Sequence, residues 1–392
     1  MARVTFQAVP KNDHKIEIRR VQPTAVAGVY RAEYDYRGTI VLTFGAESPY
    51  SIILPRNPDT IYAKATVLDS RSGRSSFPCT DAQHSSEKYF WYFWWPYQSG
   101  CKLEENVDFD VIQAQVQAMP NTASSYPELE RLLENGVVDY HLLLGMDDPG
   151  QSTDPSESRD INADTYRQLR RYLVSIGFDS HRWSEQEIRA LVPEPIWQMP
   201  HVETLSKQYP RGLVRVRMFF GANGSSGDRP FAFFFKDAIE NASVLAYSGH
   251  SGLGEYLDLD LLGRYQGIEF KGNPNRYQIF FFNSCSSYPY YNSMFFDLKK
   301  TEQDPRGTHQ LDIVTNGLAT LFSSLMRSNL ALLKPVLQYM ETGRVSSYQD
   351  IVGRADSHNL LGVNGDDDNP SPVAQPIPIT RPAIPIVKPL NI

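Results

Sequence analysis

The feature that most constrains this chain is a series of apolar runs of strand length between residues 137 and 314. A short, nearly uninterrupted apolar run is typical of a strand that is buried on both faces of a sheet. Parallel strands also need long crossover connections, which are usually helical. The runs are Val137–Met146, Gly212–Phe220, Ser243–Ser248, Tyr277–Phe282 and Leu311–Val314.

Segments with helical signals separate these runs. Asp164 can cap a helix that ends at Gly177, and its apolar positions Tyr166, Leu169, Leu173 and Ile176 recur at helical spacing. Ser184 and Glu187 have the spacing of a capping box. Further helices are predicted over Phe231–Ala242 and Leu318–Met340. Strands alternating with helices predict an α/β fold, with a mostly parallel sheet and helices on both faces.

The first 110 residues follow a different pattern. Lys15–Ile18, Gly28–Phe44 and Thr60–Leu68 are rich in Val, Ile, Tyr and Thr and are separated by turn-forming residues. The aromatic run Tyr89–Trp95 fits a strand of a small sandwich, or a platform for a carbohydrate or peptide. We predict a β-rich, sandwich-like domain over residues 1–110, an α/β domain over 111–361 and a proline-rich tail over 362–392.

Composition argues against several functional classes. The chain of 392 residues has a net charge of -7 and no basic stripe, which argues against nucleic acid as a partner. No apolar run reaches the roughly 18 residues of a membrane span. The histidines and cysteines lack metal-ligand spacing, and the glycine-rich segment 221–227 lacks the Gly-Lys-Ser/Thr ending of a phosphate-binding loop. We therefore predict no metal and no cofactor.

Three cysteines are too few for a disulfide scaffold. The N-terminal residues lack the apolar stretch of a secretory signal, which favours a cytoplasmic protein. An exported protein is the alternative if a leader has been removed, and Cys79 and Cys101 could then pair. Cys285 stands apart from both. The sequence indicates no oligomeric state.

Two consecutive strands of the predicted sheet are followed by a histidine and a cysteine, which are expected at the same edge of the sheet. His250 follows the run Ser243–Ser248, and Cys285 follows the run Tyr277–Phe282. Ligands bind at the carboxyl ends of the strands in such sheets. A thiol nucleophile needs a neighbouring base, which can later protonate the leaving amine.

Each residue also has a structural interpretation. A single cysteine at a strand end is more often a small buried apolar residue than a nucleophile. A histidine after glycine is often only part of a turn. Their occurrence at the ends of successive strands favours a catalytic pair, although spacing alone leaves both interpretations open.

The two strand ends read Tyr247-Ser-Gly-His-Ser-Gly252 and Asn283-Ser-Cys-Ser-Ser287. This pattern resembles the caspase-like clan of cysteine peptidases, which includes caspases, metacaspases, gingipains, clostripain, legumain and separases. The resemblance implies a caspase-like sheet, a protein or peptide substrate, His250 as general acid and base, and Cys285 as nucleophile. It also implies an oxyanion hole formed by backbone amides at Cys285 and at Ser251 or Gly252.

The chain departs from the clan's pattern at two positions. Ser251 stands where a glycine usually follows the histidine, and Asn283 stands where metacaspases have an acid that binds a basic substrate residue. Asn283 therefore remains a candidate for the substrate pocket, together with Glu255, Asp258 and Asp260 of the following loop. The alternative function is a catalytically silent caspase-like protein whose aromatic β domain binds a protein or glycan.

Overall fold

A computed structural model describes most of the chain from residue 125 onwards and parts of the chain before it. The described residues are 8–10, 15–25, 30–37, 40–42, 50–65, 67–68, 75–80, 85, 90, 94–114, 125–224, 228–285, 287–317, 320, 324–355 and 361–365. The chain divides into two compact units. One comprises residues 1–8, 42–120 and 376–392, and the other comprises residues 9–41 and 121–375.

The strands and the helix with described bounds that precede residue 120 are the following. The strands are β1 (Ala8–Pro10), β2 (Lys15–Pro23), β3 (Tyr30–Arg37), β4 (Ile40–Leu42), β5 (Tyr50–Pro55), β6 (Val67–Leu68), β7 (Ser75–Ser76) and β8 (Phe109–Ala114), and the helix is α1 (Pro58–Ala65). Within the described residues these strands pair only two by two. Because a sandwich needs two packed sheets, the predicted sandwich is not confirmed. The predicted boundary at residue 110 falls inside the first unit.

The aromatic run Tyr89–Trp95 contributes to a small core where it is described. Phe90 is helical, and its carbonyl accepts a hydrogen bond of 2.8 Å from the amide of Trp94. The Phe90 ring contacts Tyr62 edge-on at 5.3 Å, and the Trp94 ring contacts Phe109 at 6.2 Å. These contacts favour a core role for Phe90 and Trp94 over a ligand platform, and the helical Phe90 differs from the expected strand. Residues 89 and 91–93 of the run lie outside the described residues.

The second unit contains one eight-stranded sheet. Its strands are β9 (Val137–Gly145), β10 (Asp179–Arg182), β11 (His201–Tyr209), β12 (Gly212–Gly221), β13 (Val244–Ser248), β14 (Gln278–Asn283), β15 (Leu311–Asn316) and β16 (Leu361–Asn364). The spatial order is β10-β11-β12-β9-β13-β14-β15-β16. The five strands from β12 to β15 are parallel, and the outer three are antiparallel to their neighbours. The predicted mixed α/β fold with a mostly parallel sheet is confirmed.

The helices of this unit cover both faces of the sheet. They are α2 (Ile161–Ser175), α3 (Glu185–Leu191), α4 (Arg229–Asn241), α5 (Leu259–Gln266), α6 (Ser293–Asp297), α7 (Leu325–Thr342) and α8 (Tyr348–Ala355). In β14, Ile279 and Phe281 enter a core with α2 and α7, whereas Phe280 and Phe282 enter the opposite core with α4 and α6. Full burial of each such side chain stabilises the fold by roughly 1.5–3 kcal/mol.

Local capping explains where two of these helices begin. Asp160, rather than the predicted Asp164, caps α2 and accepts a hydrogen bond from the amide of Asn162. The predicted capping box of Ser184 and Glu187 is present at α3. Residues 318–319 and 321–323 of the helix predicted over Leu318–Met340, and residues 366–392 of the predicted tail, lie outside the described residues.

Cys79 and Cys101 form a disulfide in the first unit, and Cys285 is a free cysteine. Disulfides persist mainly in oxidising compartments. The pair therefore favours the exported alternative over the cytoplasmic one. As for membrane insertion, none of the described helices has the length and hydropathy to cross a bilayer.

The disulfide gives a first prediction. Protein unfolded without reductant should react with one equivalent of maleimide, at Cys285, and with three equivalents after reduction. Because the disulfide closes a loop with a sequence separation of 22 residues, reduction should also lower the stability of its unit by roughly 3 kcal/mol. Intact-mass measurement counts the adducts, and three adducts before reduction would show that the two cysteines are not paired.

Candidate functional site

The register of three neighbouring strands brings the candidate residues together. Ser248 at the end of β13 pairs with Asn283 of β14 on one side and with Leu144 of β9 on the other. His250 and Cys285 each lie two residues beyond their paired positions. Asp147 lies three residues beyond Leu144. Neighbouring strands are about 4.8 Å apart, so these three residues follow neighbouring strand ends at the same carboxyl edge of the sheet.

His250 contacts Asp147 across this edge. Its Nε2 lies 2.7 Å from Oδ1 of Asp147, and 44% of the His250 side chain remains exposed. The ring of Tyr256 contacts the imidazole edge-on, with centroids 6.0 Å apart. Because Asp147 occupies Nε2, Nδ1 is the ring nitrogen left for chemistry at the edge.

Asp147 lies in a turn whose backbone is held by the buried carboxylate of Asp160. Oδ2 of Asp160 accepts hydrogen bonds from the amides of Asp147 and Asp148, at 2.7 and 2.8 Å. The side chain of Asn162 donates to the carbonyl of Gly145 at 2.7 Å. The beginning of the loop is thereby held against the beginning of α2, and this fixes the backbone that carries Asp147.

Sequence reasoning missed Asp147, although a usable signal was present. Asp147 follows the apolar run Val137–Met146 directly, and His250 and Cys285 follow theirs after one and two intervening residues. Inspecting the end of every predicted strand would have identified it.

A buried tyrosine fixes the backbone of His250. The Tyr247 hydroxyl donates to the carbonyl of His250 at 2.7 Å and accepts a hydrogen bond from the side-chain amide of Asn223. A Cβ at Gly249 would overlap this hydroxyl. Glycine at that position therefore lets the tyrosine reach the His250 carbonyl.

The two residues after His250 are tightly constrained. Ser251 is buried, and its carbonyl accepts a hydrogen bond of 2.9 Å from the Tyr291 hydroxyl. Gly252 has φ of +53°, and a Cβ there would overlap the Tyr256 ring. Both effects require glycine at this position. The participation of Ser251 or Gly252 in an oxyanion hole stays a prediction.

Cys285 is partly buried just beyond β14. Burial raises the pKa of its thiol, and the backbone amides of Thr320 and of Cys285 itself oppose that rise by hydrogen bonding to the thiolate. The resting protein therefore holds Cys285 mainly as a neutral thiol at neutral pH. A nucleophilic role for Cys285 would therefore require a base.

Asn283 lies inside the protein rather than at its surface. It is 1% exposed, its amide donates to the Ser248 hydroxyl at 3.3 Å, and its carbonyl oxygen accepts from Asn316 at 3.0 Å. Asn329 donates to the same Ser248 hydroxyl at 2.9 Å. These contacts favour a structural role for Asn283 over contact with substrate.

The acidic candidates beyond Gly252 have separate surroundings. Glu255 belongs to the 3₁₀ turn Gly252–Leu257. Asp258 caps α5 by accepting a hydrogen bond of 2.8 Å from the amide of Leu261. Asp258 and Asp260 both line a cavity of about 520 Å³ between α5 and α6. No group of three or more potential metal-ligating side chains occurs among the residues that the structure describes.

The raised pKa of the Cys285 thiol predicts its alkylation profile. Below that pKa, the rate of reaction with iodoacetamide should increase about tenfold per pH unit between pH 7 and 9, because the thiolate is the reactive form. Unfolded protein is the control, since its thiol titrates near about 8.5. Rates measured by mass spectrometry that stay constant between pH 6 and 8 would instead indicate a thiolate–imidazolium pair at rest.

Burial of Asn283 predicts the effect of a charge at this position. Asn283→Asp should lower the free energy of unfolding by about 3 kcal/mol at pH 7, because a buried carboxylate would lack a cationic partner. Urea denaturation measures the change. The matched control is Asn275→Asp, at an exposed position, which should change stability by less than about 0.5 kcal/mol. Equal stabilities of the two variants would contradict the buried placement.

Comparison with known proteins found no similar protein. No family model, curated protein sequence or solved structure matches the chain. The features of this edge that bear on function are therefore the strand register, the contact between His250 and Asp147, and the burial of Cys285.

Proposed function

We propose that the chain is a cysteine peptidase in which Cys285 is the nucleophile and His250 is the general acid and base. One observation carries the proposal: three parallel strands in register present Asp147, His250 and Cys285 at one edge, and Asp147 is paired with His250. A base oriented by a carboxylate and adjacent to a nucleophile is the arrangement of acyl-transfer enzymes. The resemblance to caspase-like peptidases supports the same assignment.

Asp147 acts as a positioning residue. By accepting a hydrogen bond from Nε2–H of His250, it keeps the other ring nitrogen, Nδ1, free as a base. It also stabilises the imidazolium that forms when Nδ1 takes a proton. The Asp160 contacts restrict the turn beneath Asp147, so little reorganisation is needed during the reaction.

The reaction begins with a neutral thiol. As Sγ of Cys285 attacks the carbonyl carbon of a peptide bond, the thiol proton passes to Nδ1 of His250. Collapse of the tetrahedral intermediate breaks the C–N bond, and Nδ1–H protonates the leaving amine. His250 then takes a proton from water as the water oxygen attacks the thioester carbon. Cleavage of the C–S bond releases the carboxylic acid, and Nδ1–H returns the proton to Sγ, which restores the thiol. Amides at Cys285 and Ser251 or Gly252 are the proposed oxyanion donors.

One observation favours the alternative, a catalytically silent relative. Burial raises the pKa of Cys285, whereas many reactive cysteines have a lowered pKa. The two functions differ in whether an amide bond is hydrolysed. Cleavage of a peptide library by wild type but not by Cys285→Ala decides between them.

The proposed roles predict three graded losses of activity. Cys285→Ala should abolish cleavage, and His250→Ala should lower kcat by about 10²–10⁴-fold because it removes a positioned acid and base. Asp147→Asn should lower kcat by at least about tenfold with little change in KM, because an amide can favour the wrong imidazole tautomer. Steady-state kinetics on one library-derived peptide would measure all three.

Asp148→Asn is the matched control for Asp147. Asp148 is the adjacent carboxylate, and it accepts hydrogen bonds from Gly150 and Gln151 within its own turn. This variant should retain wild-type kcat. If Asp147→Asn behaves like Asp148→Asn, Asp147 does not position the base. If His250→Ala keeps full activity, the assigned base is wrong.

A further inference from the structure

A second cavity, of about 660 Å³, lies beside α2 and is lined by residues of β10, β11 and the loop between β9 and α2. We call it the arginine cavity, because four arginines line it and only two acids accompany them. A cavity of this size can hold a small molecule or a peptide side chain with its neighbours. Its charged lining residues are Arg167, Arg170, Arg171, Arg182, Asp154 and Glu203.

The two acids do not neutralise the four arginines. Glu203 is 3% exposed and accepts hydrogen bonds from Nε of Arg170 at 3.0 and 2.8 Å. Asp154 accepts hydrogen bonds from the amide and hydroxyl of Ser156, and its carboxylate lies 3.7 Å from Arg182. That separation is beyond hydrogen-bond distance. Two acids against four arginines leave two arginines over, and Asp164, just outside the lining, accepts a hydrogen bond of 3.3 Å from one of them, Arg167. The local excess is therefore about one positive charge.

The arginines differ in how far they are engaged. Arg167 donates to the carbonyls of Pro155 and Ser158 and lies 3.3 Å from Asp164, which is outside the lining. For Arg171, no ion pair with any described residue occurs, and its Nε reaches only the carbonyl of Arg167 at 3.4 Å. Arg171 and Arg182 are therefore the guanidinium groups with donors available to a ligand.

A partly buried imidazole adds a further polar group to the lining. His201 lines the cavity, and its Nδ1 is buried with no hydrogen-bond partner in the described part of the chain. Burial, followed by the charge of Arg182, lowers the pKa of His201. Its ring is therefore neutral at pH 7. A buried polar atom without a partner is costly, so a ligand that bonds with Nδ1 would gain affinity.

We propose that the arginine cavity binds a phosphate monoester. Guanidinium groups match phosphate oxygens in bidentate geometry. A phosphate monoester carries about -1.5 to -2 charges at pH 7 and three strong acceptor oxygens, so it can accept hydrogen bonds from both Arg171 and Arg182 and balance the positive charge of the lining. The remaining volume would take the group that the phosphate esterifies, either a metabolite or a phosphorylated peptide residue.

Calorimetry on the full chain tests this binding directly. Glucose 6-phosphate and a phosphoserine peptide should bind, and glucose and the unphosphorylated peptide should not. Preference for one of the two phosphorylated probes identifies the source of the phosphate. Affinity should fall steeply with added salt, since the contacts are ionic.

Two variants locate the site. Arg171→Gln combined with Arg182→Gln should weaken binding by about tenfold or more for each guanidinium removed. Both side chains are exposed, so the fold should be retained, which circular dichroism would verify. Arg354→Gln, at an exposed position on α8, should bind as wild type does.

Three results would overturn the proposal. The first is that neither phosphorylated probe binds at about 10 mM, a concentration that would detect even a weak site. The second is that the neutral probes bind as tightly as the phosphorylated ones. The third is that the double arginine variant keeps full affinity. Binding needs no activity at Cys285, so Cys285→Ala should bind the phosphorylated probe normally. The peptidase proposal and this one can therefore fail separately.

Discussion

The parallel pairing of β9, β13 and β14 is the constraint on which the rest of the candidate site depends. A shift of β13 by one residue would invert every side chain between the two cores, and it would move His250 away from the level of Asp147 and Cys285. In β13, Val244 and Ala246 enter one core and the larger Leu245 and Tyr247 enter the other, so such a shift would exchange side chains of different size and is costly. The positions of the polar residues at the edge are therefore set by the apolar residues inside the sheet.

Just beneath the edge, a buried polar layer links the strand ends. Ser248, Asn283, Asn316 and Asn329 form hydrogen bonds with one another between β13, β14, β15 and α7. A hydrogen-bonded layer of this kind is rigid because a polar group that loses its hydrogen-bond partner in a low-dielectric environment is costly. Cys285 and His250 thus follow strand ends that this rigid layer holds in place, while the turn that carries Asp147 is held separately by Asp160.

Much of the sheet could be predicted from sequence, because buried parallel strands are continuous apolar runs. The predicted Ser243–Ser248 differs from β13 by one residue at its start, and the predicted Tyr277–Phe282 is β14 shifted by one residue. The N-terminal part was less predictable, since partial alternation does not specify which strands pair. Burial of Asn283 was also beyond sequence: whether the last residue of a strand faces solvent depends on neighbours supplied by other strands.

The loop between β9 and α2 is closed at its base by a single carboxylate. Asp160 binds the amides of Asp147 and Asp148 at one end and caps α2 at the other. Residues between these ends can therefore change in length or composition without displacing Asp147, since loop-closure entropy grows only slowly with added residues. Asp154 and Ser156 of the arginine cavity lie in this stretch. The fold thus separates the anchor of the imidazole from the stretch that lines the arginine cavity, so that one could change in evolution while the other is retained.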